Sequence, residues 1–181
     1  ATYTGGEPGA PNSSKLVSGQ MQAQLAKWWR WLGTSNAAFD GLVSTYEGSS
    51  YSQFGVYRPT NNSLMRNLNR PFNLPSAEAV IVEIFRIVKP IDDASPTSVI
   101  YQGNETLFVT PVAPLNHPLK IQWSKDGLAL PGATGTTLNL ATLGLGACAT
   151  ISVKVWDDTG WVKDEAARDQ WMTQVKSWQV Q

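Results

Sequence analysis

Only one histidine, His117, and one cysteine, Cys148, occur in the 181 residues, and this bounds the reactions that the chain's own side chains could run. A Ser-His-Asp or Cys-His nucleophile system would have to recruit His117, which lies in Asn116-His117-Pro118-Leu119, a turn leading into a strand. No Gly-x-Ser-x-Gly elbow and no phosphate-cradling glycine loop accompanies it. A zinc peptidase needs three protein ligands and an activated water. These commonly come from His-Glu-x-x-His on a helix, because side chains four residues apart share a face and the Glu can act as base. That motif is absent, so His117 reads as a turn or surface residue rather than a metal ligand. Asp92-Asp93 and Asp157-Asp158 read as solvated turns rather than a catalytic dyad. Asp126, Asp157, Asp158 and Asp164 could surround a calcium ion only if loops gather them, for no EF-hand spacing is present. Cys148, between Ala147 and Ala149 and just before the apolar run Ile151–Val155, reads as a small buried apolar residue. Being alone, it can form neither an intrachain disulfide nor a Cys-based zinc cluster.

The stretch richest in chemistry is Tyr46-Glu47-Gly48, Gly55-Val56-Tyr57-Arg58-Pro59, Asn61-Asn62-Ser63-Leu64-Met65-Arg66 and Arg70-Pro71-Phe72. It is too rich in Gly, Asn and Pro for a helix or a continuous strand, yet Val56, Leu64, Met65 and Phe72 favour burial. A long packed loop of this kind inside a compact domain is usually functional.

The elements that must position it follow from composition and periodicity. With 42% hydrophobic and 15% charged residues the chain is globular and charge-poor. Zero formal net charge gives no reason to expect a nucleic-acid partner or an anionic membrane surface, and no apolar run has the ~18 residues of a membrane span. Residues 1–91 carry 8 basic and 5 acidic side chains and residues 92–181 carry 6 and 9, a mild asymmetry in keeping with two domains. Residues 1–14, rich in Gly, Pro, Asn and Ser, read as a loop without the regions of a signal peptide, so the chain looks like a mature or trimmed piece. Met21, Leu25, Trp28, Trp29 and Leu32 recur at helical spacing and predict a helix over about Gln20–Leu32, stopped by Gly33. Its Trp28-Trp29-Arg30-Trp31 cluster reads as a helix buried on two sides, or else as a platform for a sugar or peptide.

Leu42–Tyr46 and Gly55–Arg58 read as short strands. A second helix is expected after Pro75, with Ser76 as N-cap, Glu78 in the first turn, and Val80, Ile81, Ile84, Phe85 and Val88 on one face. Ile91–Pro96 reads as a polar hinge and domain boundary. Beyond it the pattern is β: Glu105–Val109, Leu119–Trp123 with Leu119, Ile121 and Trp123 inward, Thr137–Leu140, and Ala149–Trp156. Lys125-Asp126-Gly127 and Pro131-Gly132 are turns at the rhythm of a sandwich. Asp164–Trp171 reads as one helical turn or, in preference, a polar hairpin connection, followed by an edge strand over Met172–Val180.

Trp123-Ser-Lys-Asp-Gly-Leu-Ala-Leu-Pro-Gly-Ala-Thr, followed by Thr137-Leu-Asn-Leu140, resembles the middle strands of immunoglobulin-like bacterial modules, a resemblance over residues 97–181 that implies architecture and no activity. Tyr46-Glu-Gly, Gly55-Val-Tyr-Arg-Pro59, Asn62-Ser-Leu-Met-Arg66 and Pro71-Phe72, ahead of a helix, resemble the C-terminal part of the IgA-peptidase-like family of bacterial zinc metallopeptidases. Gly5-Glu-Pro, Pro11-Asn12 and Lys27–Leu32 fit the same pattern, so the resemblance covers residues 3–91.

That resemblance implies an α+β fold: a partial metzincin-like α/irregular domain over residues 1–93, then an all-β immunoglobulin-like sandwich over residues 94–181. It implies a Met-turn, with Ser63, Met65 and Arg66 forming an active-site floor beneath a metal, and Tyr57 and Arg58 bordering the substrate cleft. Without the surrounding loop Met65 would read as core filler, and the loop favours the floor; Arg58 could equally be a structural ion-pair partner. The family places its His-Glu-x-x-His ahead of a segment like residues 3–12. The expectation is therefore the C-terminal portion of a secreted or periplasmic zinc endopeptidase acting on protein or peptide substrates, inactive alone and binding no zinc itself. The sandwich would contact a cell surface or glycan. The rival expectation is a non-catalytic secreted module that recognises glycan or protein through its eight tryptophans, five of them in the second half.

Overall fold

The computed structural model describes residues 1–145 and 148–181, a mixed α+β chain in two compact units. The first comprises Ala1–Ile81 with Trp161–Asp164, and the second Val82–Gly160 with Glu165–Gln181. The division falls at Ile81/Val82, within a helix, and not at Asp93/Ala94. The segment expected as a hinge is strand β3 (Ile91–Ala94), paired antiparallel with β5 (Thr106–Pro111). Ile91 is buried there and its N–H donates to the Gln174 side chain, so the pairing overrides the polar look of Asp92-Asp93.

In the first unit, helix α1 (Ser18–Gln24) ends well before Leu32. Leu25 and Lys27 are left-handed (φ 50° and 56°), and Trp29–Trp31 form a single 3₁₀ turn. Packing decides this. Trp28 and Trp31 are buried with Met21, Val43 and Leu74, and their indole N–H groups donate to the Ser44 carbonyl and to Glu78. At about 25 cal/mol per Å² over about 200 Å², each ring gains roughly 5 kcal/mol. A left-handed residue costs about 1–2 kcal/mol, so the break is favoured over an unbroken helix.

The unit's sheet is a hairpin of β1 (Tyr46–Ser49) and β2 (Ser52–Arg58). Gly55–Arg58 is strand as expected, within the longer β2, whereas the strand expected over Leu42–Tyr46 begins only at Tyr46 and runs on through Glu47–Ser49, where loop was expected. Glycine makes this feasible, since Gly48 (φ 95°) forms the bulge in β1 and Gly55 (φ 79°) lets Thr2 and Tyr3 pass close by. Helix α2 (Leu74–Ile87) is capped by Asn73, whose Oδ1 accepts the Ser76 N–H at 2.9 Å; Ser76 lies inside the first turn. Its Glu78 carboxylate accepts from the Trp31 indole and from the backbone N–H groups of Lys163 and Asp164, which fastens Trp161–Asp164 into this unit. The stripe expected to be buried is only partly so: Phe85 is buried, while Val80, Ile84 and Val88 are exposed.

The second unit holds two sheets. One orders its strands β3-β5-β8, with β8 at Thr137–Asn139. The other runs β4-β10-β9-β6-β7, from β4 (Ile100–Tyr101) through β10 (Thr173–Val180), β9 (Ala149–Trp156) and β6 (Lys120–Lys125) to β7 (Leu128–Ala129). Alternate residues are buried, as in Ala149, Ile151, Val153 and Val155 of β9. Trp123 and Trp178 meet at 5.5 Å, and their N–H groups donate to the carbonyls of Gly135 and Ser95. Asp126-Gly127 makes the expected two-residue turn, both residues at positive φ. The connection between the antiparallel neighbours β9 and β10 carries helix α3 (Glu165–Trp171), the helical alternative rather than the preferred non-helical one. β10 is not an edge strand, because β4 pairs parallel to its other side. Cys148 is exposed with φ 52°, contrary to the buried reading, and its neighbour Ala147 lies outside the described residues.

Candidate functional site

A cleft of about 600 Å³ opens in the first unit. The β1–β2 hairpin supplies Glu47 to Gln53 and Arg58, the following loop supplies Pro59, Ser63, Met65 and Arg66, and Ala10, Asn12, Ser13 and Asn73 complete the lining. The hairpin turn is Ser50-Tyr51, both left-handed (φ 47° and 60°), a geometry that normally selects Asn-Gly. A bulky side chain held there stores strain, and such strain concentrates at functional sites. Ser50 Oγ lies 2.9 Å from Ser13 Oγ, which ties the turn to the amino-terminal segment, and the Tyr51 ring projects fully into solvent.

Arg58 clamps the cleft. Its Nε and Nη2 donate to the Asn61 carbonyl at 3.2 and 3.1 Å, and its Nη1 donates to the carbonyls of Glu47 and Gly48. Burial, and then the like charge of Arg66, draw its pKa below the ordinary guanidinium value. Its partners are carbonyls, so Arg58 is neither an ion-pair residue nor a free cation. Arg66 places Nη1 2.8 Å from the same Asn61 carbonyl and is otherwise exposed. The loop is braced from behind by Arg70, bidentate on buried Asp40 at 2.7 and 2.7 Å; hydrogen bonding and then attraction to Asp40 raise the Arg70 pKa.

Among the residues singled out in the sequence, Arg58, Ser63, Met65 and Arg66 line this cleft, and Tyr57 does not. Strand alternation sends Tyr57 to the face opposite Arg58, and its backbone pairs with Ser14. Ser63 is buried, and its carbonyl accepts the N–H groups of Arg66 and Asn67 in a tight turn that carries Met65. Met65 is 61% exposed at the cleft wall, so it is not core filler, and Leu64 is exposed too. The cleft residues do not suit zinc by themselves. Glu47 is the only carboxylate in the lining, its Oε1 is engaged by the Gly55 N–H, and the neighbouring charges are cationic.

The second unit assembles a group that sequence reading missed. His117 Nε2 stands 3.0 Å from Asp157 Oδ1 and 3.3 Å from Asp158 Oδ1. Asp157 is buried rather than solvated, and its Oδ1 also accepts the Thr159 N–H at 2.7 Å. The proposed four-aspartate grouping does not form. Asp126 Oδ1 instead accepts the N–H of Thr150 on β9, and Asp164 pairs with Arg30 in the first unit. Asp92 and Asp93 are exposed, as expected of a solvated pair. Of the five tryptophans in the second half, Trp123 and Trp178 are core. Lys154 lies over Trp156, Arg86 and Lys89 over Trp171, and Trp161 packs edge-on against Phe39 at 5.0 Å.

Among the described residues no helix is long and apolar enough to cross a membrane. No protein-family model matches the chain, and no curated protein or solved structure matches it either.

Proposed function

We propose that the first unit is the substrate-binding portion of a secreted bacterial zinc endopeptidase of the IgA-peptidase-like kind, whose metal ligands and general base come from residues this sequence does not contain. The observation that carries the reading is the convergence of Arg58, Ser63, Met65 and Arg66 on one cleft, beside a strained hairpin turn. In this reading Met65 presents a soft apolar wall to the completed centre, and Arg66 has donors to spare for a peptide carbonyl or carboxylate. Arg58 is a positioning residue that sets the shape of the cleft through the carbonyls it holds. Tyr57 has no part in it. No catalytic step is assigned to the chain's own groups.

The strand orders β3-β5-β8 and β4-β10-β9-β6-β7, with the consecutive strands β3 and β4 in different sheets, support an immunoglobulin-like sandwich for the second unit, serving to position the enzyme or to contact a surface. A non-catalytic module that binds glycan or protein is the alternative, favoured by the exposed Tyr51 ring at the cleft mouth.

The test is fusion of a His-Glu-x-x-His segment ahead of Ala1, with casein as substrate. Hydrolysis is expected, and Met65→Lys should abolish it while leaving the fold intact. A folded fusion without hydrolysis, in which glycan or mucin quenches tyrosine emission in the wild type but not in Tyr51→Ser, would overturn the enzyme reading and establish the alternative.

A further inference from the structure

We propose that His117, Asp157 and Asp158 form a binding site for a divalent first-row transition cation of the zinc type, in the second unit and independent of the cleft. Sheet register builds it. β6 and β9 pair antiparallel with Lys120 opposite Trp156 as the last pair, so the residues just before β6 and just after β9 emerge at the same end of the sheet. His117 enters from a turn closed by its own N–H on the Pro114 carbonyl, with Asn116 left-handed and Pro118 fixing the exit.

The opposing loop is held in place before any ligand arrives. The Asp157 N–H donates to the Met172 carbonyl, and Arg168 donates to the carbonyls of Asp157 and Thr159. Two carboxylates are thereby fixed against one imidazole nitrogen, and one of them is buried.

Two carboxylate oxygens converge on the single nitrogen Nε2. A neutral imidazole carries a single N–H, so at most one proton at Nε2 is shared by two carboxylate oxygens. Two cations flank the group: the Lys120 ammonium is 3.7 Å from the outward oxygen of Asp158 and half exposed, where an ion pair contributes little, and the Arg168 guanidinium holds the Asp157 and Thr159 carbonyls. A divalent cation in place of the shared proton satisfies all three groups, with the imidazole proton moved to Nδ1.

The three ligating atoms lie within 4.8 Å of one another, and bonds of about 2.0–2.2 Å bridge that span with a small closing movement of the exposed Asp158. His117 and Asp158 are each about 40% exposed, which leaves room for water at the remaining coordination positions. One nitrogen and two oxygens suit zinc or cobalt, whereas calcium takes about six to eight oxygens and finds too few.

The experiment uses the full chain, stripped with chelator and titrated with Zn²⁺, then with Ca²⁺, by calorimetry and by NMR of the imidazole. His117 is the only histidine, so every imidazole signal reports on the site. The expected result is uptake of one Zn²⁺ with a shift at Nε2 and no competition from Ca²⁺. His117→Gln and Asp158→Asn should each weaken binding about tenfold or more, and Lys120→Ala should tighten it by freeing the outer oxygen of Asp158. Asp158→Asn serves because Asp157 is buried and its loss endangers the fold. An imidazole signal that does not move, or equal binding by wild type and His117→Gln, would overturn the proposal.

Discussion

The cleft of the first unit and the His117 cluster of the second are held in place in opposite ways. In the cleft, side chains hold backbone: Arg58 gathers the carbonyls of Glu47, Gly48 and Asn61, and Asp40 and Arg70 brace the loop behind. In the cluster, backbone holds side chains. β6 and β9 fix which residues face one another, and His117 meets Asp157 as a consequence of register. A site of the first kind rests on a few individual hydrogen bonds and fails one residue at a time. A site of the second kind persists for as long as its sheet does, and is lost with it.

The sharpest break in this comparison is Trp123→Ala. Trp123 is fully buried on β6 against Trp178, so its removal should cost about 3–5 kcal/mol and take the His117–Asp157 pairing with it. Urea unfolding, with the His117 imidazole signals followed alongside, checks both. Retention of those signals in a destabilised sheet would show that the loops, not the register, carry the cluster.

Glu78→Ala is the matching break in the first unit. Its carboxylate holds the Trp31 indole N–H and the backbone N–H groups of Lys163 and Asp164, and all three lose that acceptor by the change. A loss of about 2–3 kcal/mol is expected, and amide exchange should quicken at Val162–Asp164 while β9 keeps its protection. Equal quickening in β9 would mean that the two units do not respond separately.

These side-chain bonds also mark where sequence reading ran out. β6 and its Asp126-Gly127 turn were legible, because alternation and a left-handed dipeptide are local signals. Helix α2 was legible as an element, but its start was displaced. Pro75 reads as a break, yet proline is tolerated in the first turn, where its missing N–H needs no partner, so the cap moved back to Asn73. The break after α1 was illegible because the periodicity through Leu25 is helical, and only the burial of Trp28 and Trp31 overrides it. Arg58 and Met65 could be placed near a cleft by resemblance. That Arg58 would spend its donors on carbonyls, and that Met65 would stand exposed, depends on loops that no periodicity describes. His117 and Asp157 are forty positions apart, and a pairing set by sheet register is invisible until the strands are matched.

A smaller effect separates charge from geometry at the clamp. Arg58→Lys keeps the positive charge but loses the planar fork that spans the carbonyls of Glu47, Gly48 and Asn61. About 1 kcal/mol of stability should be lost, and amide exchange should quicken at Gly48 and Asn61 before any other part of the hairpin. Unchanged exchange there would mean that strand pairing alone shapes the cleft.

The smallest effect reaches the cleft from its amino-terminal wall and is read through pH. Glu7 accepts the Lys15 N–H at 2.9 Å and lies 3.4 Å from the Lys27 ammonium, which also donates to the carbonyls of Pro8 and Ala10. Partial burial by itself would raise the Glu7 pKa. The Ser14 hydroxyl, the Lys15 N–H and the charge of Lys27 together outweigh it, and the net shift is downward. A carboxylate whose pKa is lower in the folded than in the unfolded chain stabilises the fold fully above the unfolded value, and that stability is lost as pH falls through the folded one. The urea midpoints of wild type and Glu7→Gln should therefore differ by a constant small amount near neutrality and converge on acidification, since the other carboxylates titrate alike in both proteins. Glu7 is well exposed, so added salt should reduce the part that comes from Lys27 while leaving the bonds to Ser14 and Lys15. A gap that widened on acidification would reverse the sign. It would mean that Glu7 strains the segment it touches, and that the Ala10–Ser13 wall of the cleft is held by Ser13 and Ser50 without it.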